Sequence, residues 1–204
     1  MTSLVAMDYA LEQWINGPAG SRPLWDAIMS GVASSGEAVF VGIIVVWFLI
    51  GWLRDGAVER QAAITGLAAA GLALLVNVIV SHVWFRIRPF VAHPNTVHLL
   101  LSHSKDASFP SDHASAAFAI TLVLLTAHRK MGAAALAFAV VMSYARVYVG
   151  DHYPGDVLTG AVIGLLAAGV FITWLGPLTA GVRALVDRII VGLHLPLSAG
   201  AGGA

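Results

Sequence analysis

The chain has 204 residues, of which 58% are hydrophobic and 11% are charged, and its formal net charge is zero. Globular proteins average about 25% charged residues, so the composition excludes an ordinary soluble domain and favours a membrane protein. The absence of cysteine excludes disulfides and thiolate metal sites, and the absence of a long Lys or Arg run argues against a nucleic-acid partner.

Two segments near the N-terminus have the pattern of short amphipathic helices. Residues 7–16 alternate polar and apolar side chains at helical spacing and run into a Gly-Pro pair, which ends helices. Residues 23–34 start at Pro23 and carry Trp25, and tryptophan is enriched at membrane–water interfaces. We predict two interfacial helices, with packing on the bundle instead of on lipid as the alternative for both.

Five apolar runs follow, and each is close to the roughly 20 residues that a helix needs to cross a bilayer. They occupy residues 38–53 (with the preceding turns from residue 34), 62–84, 111–127, 133–149 and 156–175. Asn77 in the second run is predicted to hydrogen-bond to a neighbouring helix. The Gly-x-x-x-Gly pattern from Gly160 to Gly164 in the fifth run predicts close helix packing.

The C-terminal part of the chain fits two structures. Residues 178–195 repeat apolar positions at helical spacing but interleave Arg183, Asp187 and Arg188. This pattern fits a sixth membrane helix with a buried ion pair, which we favour, or an interfacial helix. The Gly/Ala-rich tail, residues 198–204, is predicted to be disordered. The expected fold is an all-α polytopic transmembrane bundle of five to six membrane helices plus the N-terminal interfacial helices, in one domain over residues 1–197.

Three polar clusters lie at the ends of the apolar runs, all on one side of the predicted membrane. They are residues 85–90 with Arg86 and Arg88, residues 109–113 with Ser111, Asp112 and His113, and residues 145–156 with Arg146, His152 and Asp156. An ionisable group at a membrane is energetically costly, so such a cluster indicates a functional site. The second cluster also has a helix-start pattern, and a helix N-terminus attracts anions.

The third cluster combines a candidate nucleophile with a candidate anion ligand. On a helical turn, His152 and Asp156 at positions i and i+4 would lie on one face, so the carboxylate would fix the imidazole tautomer. The other ring nitrogen would then be free to attack or to accept a proton. Arg146 carries a planar fork of donors that suits phosphate. The alternative is a buried Arg–Asp pair that joins two helices, beside a surface histidine.

Together the three clusters resemble the signature of the type 2 phosphatidic acid phosphatase family, which reads Lys-x6-Arg-Pro, Pro-Ser-x-His and Arg-x5-His-x3-Asp. The matching residues, within 81–156, are Arg88 and Pro89, then Pro110, Ser111 and His113, then Arg146, His152 and Asp156. One position departs from the signature, because the lysine of the first motif falls on Ser81. Arg86, two residues before Arg88, is predicted to supply the missing positive charge.

The resemblance implies a phosphoryl-transfer site and a role for each matched residue. His152 would attack phosphorus and form a phosphohistidine, with Asp156 as its orienting partner. His113 would protonate the leaving group and then activate water. Asp112 is predicted to raise the proton affinity of His113, with a favourable place at the helix dipole as the alternative. The residues expected to bind phosphate are Arg88, Arg146, Ser111 and Arg86.

The loop of residues 90–108 carries His93, His98, His103 and Lys105. Three histidines invite a metal interpretation, but their spacing of five fits no helical pair and no cysteine accompanies them. We therefore predict no metal and no cofactor. The loop is predicted to form a lid over the site, in which Lys105 steers anions towards it.

Within the family, the motif forms and the small size resemble the bacterial undecaprenyl diphosphate phosphatase branch, which recycles the lipid carrier of cell-wall synthesis. The resemblance implies a multi-pass enzyme of the bacterial cytoplasmic membrane, in contact with membrane lipids, that acts on a polyprenyl phosphate substrate. Basic residues prefer the cytoplasmic side, so we expect the site to face the extracytoplasmic side. The basic residues opposite the clusters are Arg54, Arg60, Arg129, Lys130, Arg183 and Arg188.

Two other functions stay open at this point. The first is a phosphatidate or phosphatidylglycerophosphate phosphatase, which would act on a phospholipid phosphate. The second, from another class, is a membrane transporter whose paired charges line a permeation path. A transporter predicts charges distributed through the membrane depth, whereas here they collect at span ends. The sequence makes no prediction of oligomeric state.

Overall fold

The structure is a computed structural model, and it describes residues 3–192. Every regular element in this range is a helix, which confirms the predicted all-α fold. The elements are α1 (Ser3–Asn16), α2 (Pro23–Leu53), α3 (Ala57–Val83), α4 (Pro89–Ala92), α5 (Asp112–Ala127), α6 (Arg129–Tyr148), α7 (Pro154–Thr173) and α8 (Gly176–Gly192). The tail predicted to be disordered, residues 198–204, lies outside the described residues.

Four of these helices, α2, α3, α6 and α7, are long and apolar enough to cross a membrane. The third predicted span, residues 111–127, corresponds to α5, which is apolar but shorter, with 16 residues, or about 24 Å at the rise of an α-helix. It is the central helix, since it packs against α3, α6 and α7. The side chains exposed on the outside of the bundle include many large apolar ones, as a lipid-facing surface requires.

Residues 23–34 do not form a separate interfacial helix, as the sequence had indicated. They are the first part of α2, which runs without a break from Pro23 to Leu53. The Ser34-Ser35-Gly36 segment stays helical, and both serine hydroxyls bond back to the Gly31 carbonyl. At Gly36 the missing side chain makes room for Met142 of α6, so the small residues in this segment serve helix packing.

Helix α8 packs on α3 and α7 and is not among the four helices long enough to span. Its predicted ion pair is present: the Asp187 carboxylate accepts from Arg183 at 2.7 Å and from the Nε of Arg60 at 2.9 Å. Arg60 is buried and also donates to the Gly51 carbonyl. This cluster ties α8 to the α2–α3 turn, at the end of the bundle opposite the three motifs.

Close packing of α5 on α7 aligns the two helices that begin at the motifs. A Cβ atom at Gly160 would lie 2.5 Å from the Ser111 carbonyl oxygen, and one at Gly164 would collide with the backbone of α5 at Ser115. The predicted Gly-x-x-x-Gly contact is therefore confirmed. Asn77 donates to Asp112 at 2.7 Å and to Ser115 at 2.9 Å, which confirms its predicted role between helices.

Helix α1 lies against the bundle through a polar face. Asp8, Glu12 and Asn16, spaced by four residues, are the side chains it turns inward, whereas Leu4 and Trp14 are among the apolar side chains it leaves exposed. Asn16 donates to the carbonyl oxygens of Tyr148 and His98 at 2.8 and 2.9 Å. Helix α1 thus packs on the bundle through one face, as the alternative interpretation expected, while the apolar side chains of its other face are exposed.

Glu12 is the buried acid of α1, and we expect it to make the stability of the fold depend on pH. Its side chain is fully buried, and neither carboxylate oxygen has a hydrogen-bond partner within the described range. Burial, and then the nearby charge of Asp8, raise the pKa of Glu12 from 4.5 to about 7. A carboxyl whose pKa is raised by folding stabilises the fold while it is protonated, and this stability is lost as the pH rises from about 4.5 to about 7.

We therefore expect Glu12→Gln to raise the melting temperature by several degrees at pH 8 and by much less at pH 5. The amide keeps the shape of the protonated acid and removes the ionisation that disfavours docking at high pH. Thermal unfolding of the purified protein in detergent measures both values. Equal shifts at the two pH values would show that the ionisation of Glu12 does not change across this range and would contradict the raised pKa.

Candidate active site

The structure brings residues of all three clusters to one groove at the end of the bundle. Its polar end combines side chains from the segment before α4, the loop before α5, the first turn of α5, the end of α6 and the α6–α7 loop. These side chains are Arg88, His103, Asp106, Asp112, His113, Arg146 and His152. Of the predicted site residues, Arg88, Arg146, His113, His152 and Asp112 line this groove, whereas Asp156, Ser111, Arg86 and Lys105 do not.

The α6–α7 loop folds back under Arg146 because of a glycine. Gly150 has a φ of +84°, and a Cβ atom at this position would lie 2.7 Å from the His98 carbonyl oxygen. Only glycine adopts this backbone without strain. The turn lets the amides of Asp151 and His152 donate to the Arg146 carbonyl at 3.2 and 3.3 Å, so these three residues are held together.

His152 is buried, and its two ring nitrogens have different surroundings. Nδ1 lies 2.8 Å from the Ser108 carbonyl oxygen, and Nε2 lies 3.3 Å from Nη1 of Arg88. A carbonyl only accepts, so Nδ1 carries the proton and Nε2 presents its lone pair to the arginine end of the groove. This is the tautomer that a nucleophilic histidine needs.

Asp156 does not orient His152 in the way the spacing had indicated. The two residues do not share a helical turn, since His152 precedes α7 and Asp156 lies in its first turn. The distance from Asp156 Oδ2 to Nδ1 of His152 is 3.7 Å, which is too long for a hydrogen bond. The same oxygen accepts from the Ser108 hydroxyl and from the Tyr153 amide. Ser108 therefore connects the carboxylate to the imidazole, through its hydroxyl on one side and its carbonyl on the other.

Ser108 and Asp151 are site residues that the sequence did not reveal. Ser108 is fully buried and connects His152 to Asp156, but a serine in a loop carries no signal of such a role. Asp151 stands next to His152 in the third cluster, where an acid was visible but had no assigned partner. Its carboxylate accepts from Arg88 at 2.9 Å and forms a short ion pair with Arg146. One carboxylate thus brings both guanidinium groups together.

Asp106 is a second carboxylate at the same arginine pair. Its Oδ1 accepts from Nε of Arg88 at 2.7 Å, and His103 lies 3.4 Å from Nη2 of Arg146. Burial alone would raise the pKa of Asp106. Hydrogen bonds from Arg88 and Ser104 and the charges of Arg88 and His103 outweigh burial and lower the pKa below its ordinary value. Asp106 therefore stays ionised and helps to neutralise the arginines.

His113 faces a carboxylate other than the one predicted. Asp112 lines the groove, but its Oδ1 accepts from the Asn77 amide at 2.7 Å, between α3 and α5. The carboxylate close to the His113 ring belongs to Glu37 of α2, with 3.8 Å between Oε2 and Nε2. Glu37 had a signal in the sequence, since it is an acid inside an otherwise apolar run, and such residues are costly in a membrane.

The groove continues from this polar end along an apolar channel between α2 and α3. Its volume is about 630 Å³, and its walls come from α2, α3, α5 and α6. Val41, Val45 and Leu67 line it and are largely exposed, so the channel opens sideways out of the bundle. The apolar lining residues include Phe40, Val41, Ile44, Val45, Leu67, Leu74, Ile120 and Met142.

The family follows from a comparison of the whole chain. A family model described as the PAP2 superfamily, the type 2 phosphatidic acid phosphatases, matches residues 62–196. This range covers well over half of the chain and all three motifs. The chain belongs to the PAP2 superfamily. The resemblance seen in the motifs is therefore confirmed.

Individual PAP2 relatives agree with this assignment. The chain is 34% identical over 165 residues to undecaprenyl-diphosphatase BcrC of Bacillus subtilis, covering 81% of this chain and 82% of the relative. It is 32% identical to the bacitracin transport permease protein BcrC of Bacillus licheniformis, over 66% of this chain and 65% of the relative. The crystal structure of Aquifex aeolicus LpxE aligns with a TM-score of 0.69 at 23% identity, covering 81% of this chain and 94% of that one. This last likeness shows the fold.

In this PAP2 protein, Arg86 does not take the place of the family's first-motif lysine at the groove. Ser81 is the residue there, and its hydroxyl bonds back to the Val78 carbonyl of its own helix. The Arg86 guanidinium lies between Asp8 and Asp156, at 2.7 Å from each, and stacks 3.8 Å above the Tyr153 ring. Two carboxylates and one aromatic face hold it away from the groove, which contradicts the predicted contact with phosphate.

Ser111 and Lys105 also lie outside the groove lining. Ser111 is the N-cap of α5, as predicted, and its amide donates to the Asp156 carbonyl at 3.1 Å. Its hydroxyl is buried and has no hydrogen-bond partner in residues 3–192. Lys105 is exposed on the loop next to Asp106. The hydroxyl of Ser111 is therefore an unused donor at the N-terminus of the helix that carries His113.

The three loop histidines lie in different environments. His93 stacks on Tyr9 with 3.8 Å between ring centroids, the backbone of His98 is bonded to Asn16, and His103 lies beside Arg146. Among residues 3–192, no group of three or more His, Cys, Asp or Glu side chains is arranged to hold a metal ion. The loop is tied to α1 and to the α6–α7 turn through these backbone bonds.

Proposed function

We propose that this protein is an integral membrane lipid phosphatase that hydrolyses undecaprenyl diphosphate to undecaprenyl phosphate and inorganic phosphate through a phosphohistidine at His152. One observation carries the proposal. The unprotonated Nε2 of a buried histidine lies beside paired arginines, at the head of an apolar groove that opens sideways. The name of the Bacillus subtilis relative supplies the polyprenyl diphosphate as the substrate.

The phosphate site is formed by Arg88 and Arg146. Both guanidinium groups are buried and are brought together by Asp151. Fixed arginine donors that neutralise phosphoryl oxygens stabilise a phosphoryl-transfer transition state without reorganising during the reaction. The first turn of α5, whose Asp112 and His113 line the groove, adds a helix N-terminus where the dipole favours negative charge.

The reaction proceeds in two displacements. Nε2 of His152 attacks the terminal phosphorus, a P–N bond forms, and the bond from phosphorus to the bridging oxygen breaks. His113 gives its proton to the leaving undecaprenyl phosphate. Neutral His113 then takes a proton from water, the resulting hydroxide attacks phosphorus, and the P–N bond breaks to release inorganic phosphate. Asp156 stabilises the positive charge that develops on the His152 ring, through Ser108.

The apolar groove accounts for a lipid substrate. An isoprenoid chain could lie between α2 and α3 while its diphosphate reaches the arginines, because one continuous groove joins both regions. The chain would pack against Phe40, Ile44 and Ile120 through van der Waals contacts, since it comes from lipid and not from water. The sideways opening lets the substrate enter from the bilayer, so it does not have to leave the lipid phase.

The charge distribution supports an enzyme over a transporter. The site residues lie at one end of the bundle, and the Arg60–Asp187–Arg183 cluster lies at the other. Between them, the core of α5 is mostly apolar, with Ala117, Ile120 and Leu124 buried. A permeation path would need polar groups through the membrane depth. The basic residues at the opposite end support an extracytoplasmic site in the bacterial cytoplasmic membrane.

An assay of the purified protein with three substrates in excess EDTA tests the proposed function. We expect release of inorganic phosphate from undecaprenyl diphosphate at a higher kcat/KM than from phosphatidate or phosphatidylglycerophosphate. The activity should not depend on added metal, since arginines neutralise the phosphate. Preference for a phospholipid phosphate would overturn the substrate assignment. Activity that is lost in EDTA and restored by magnesium would overturn the metal-free mechanism.

A further inference from the structure

Helix α1 contacts the nucleophile loop although it lies outside the range matched by the PAP2 model. Asp8, on its inward face, uses both carboxylate oxygens. Oδ1 accepts from the Gly155 amide at 2.7 Å, and Oδ2 accepts from Nη2 of Arg86 at 2.7 Å. Gly155 lies in the first turn of α7, one residue before Asp156. Asp8 therefore binds both the backbone at the start of α7 and the side chain of Arg86.

Arg86 connects Asp8 to Asp156. Its Nη1 donates to Asp156 Oδ1 at 2.7 Å while Nη2 donates to Asp8, and its Cζ lies 3.8 Å above the Tyr153 ring. A planar guanidinium that is paired on two sides and stacked on an aromatic face has little freedom to move. Because Asp8 and Arg86 are 78 positions apart in the chain, this contact exists only when α1 is docked.

Asp156 needs this arginine because its carboxylate is fully buried. A buried charge that loses its partner is strongly destabilised. Oδ2 of Asp156 accepts from the Ser108 hydroxyl and from the Tyr153 amide. The Ser108 carbonyl in turn accepts from Nδ1 of His152 at 2.8 Å. An unbroken series of polar contacts thus runs from Asp8 through Arg86, Asp156 and Ser108 to the ring of His152.

We propose that Asp8 is a positioning residue, which acts with Arg86 through Asp156 and Ser108 to hold His152 in line for attack on phosphorus. Helix α1 is then part of the catalytic apparatus as well as a membrane-surface helix. The inference rests on the proposed function, since it assigns a role to the position of the nucleophile. A displacement of about 1 Å at a reacting group costs up to about a hundredfold in rate.

The test compares kcat and KM of Asp8→Asn, Arg86→Ala and the double variant. Asparagine keeps an oxygen for the Gly155 amide but removes the charge that holds Arg86. We expect Asp8→Asn to lower kcat about tenfold and Arg86→Ala about a hundredfold, with KM nearly unchanged because Arg88 and Arg146 are untouched. In the Arg86→Ala background, Asp8→Asn should have no further effect, since Asp8 acts through Arg86.

Tyr9→Phe is the matched control. It removes another contact between α1 and the loops, the 2.6 Å hydrogen bond from Tyr9 to Thr96, while the stacking on His93 stays. We expect its kcat to equal that of the wild type. Fully additive effects of Asp8→Asn and Arg86→Ala would overturn the inference. So would a rate loss in Asp8→Asn that matches a loss of folded protein. An inactive wild type would instead refute the proposed function.

Discussion

Replacing His152 with alanine is expected to abolish turnover, with a loss of at least about a thousandfold in kcat. Of the three histidines that line the groove, His152 is the fully buried one, and its Nε2 lies beside Arg88. The imidazole donates to the Ser108 carbonyl and lies next to Arg88. The alanine variant therefore loses the nucleophile, whereas both arginines stay paired with Asp151. Steady-state release of inorganic phosphate from undecaprenyl diphosphate measures the effect.

The control for this variant is His98→Ala. His98 lies on the loop beside the site, its side chain is exposed, and its bonds to Asn16 are made by its backbone. We expect this variant to turn over substrate at the wild-type rate. A His152→Ala protein that elutes as a folded species and keeps a near-normal rate would show that another group attacks phosphorus.

Replacing His113 with alanine is expected to lower kcat by about a hundredfold to a thousandfold, the usual effect of losing a general acid–base. The loss should depend on the leaving group. An aryl phosphate leaves without protonation, so its first displacement should stay fast while the second, which needs a base for water, becomes slow. The phosphorylated enzyme should therefore accumulate in this variant with an aryl phosphate substrate. Rapid quenching and measurement of bound phosphate follow that species.

The control for the acid–base assignment is His128→Ala. His128 caps α6 at the opposite end of the bundle, where its ring packs edge-on against Trp47. Loss of this histidine should leave both displacement steps unchanged. If His113→Ala slows neither step, or slows both equally for every leaving group, then His113 only caps the helix or shapes the groove.

The membrane helices and the two motif histidines of the groove were predictable because their signals are local. Apolar runs define α3, α6 and α7, and the motif spacing singles out His113, His152 and both groove arginines. The exact relation between His152 and Asp156 was not predictable, because the i to i+4 rule applies only inside a helix and His152 precedes α7. The full length of α2 was not predictable either, because its Ser-Ser-Gly segment packs on α6, and this contact has no local signal in the sequence.

The contacts that arrange the site are long-range, and no pattern along the chain announces them. Asp8 pairs with Arg86 across 78 positions, and Ser108 meets Asp156 across 48. The prediction for Arg86 was wrong because the sequence showed only its neighbour Arg88, while the two carboxylates that hold it come from α1 and α7. Glu37 and Asp151 were visible as acids in apolar or motif segments, but their partners were not.

The most direct test of the account is the detection of the phosphorylated enzyme. The protein is mixed with undecaprenyl diphosphate labelled in its terminal phosphate, quenched in alkali within one turnover, and digested for mass spectrometry. We expect a phosphoryl group on His152 that survives alkali and is lost in acid, and that is absent from His152→Ala. Full turnover without any labelled enzyme, or a label on Ser111 or another residue, would contradict it.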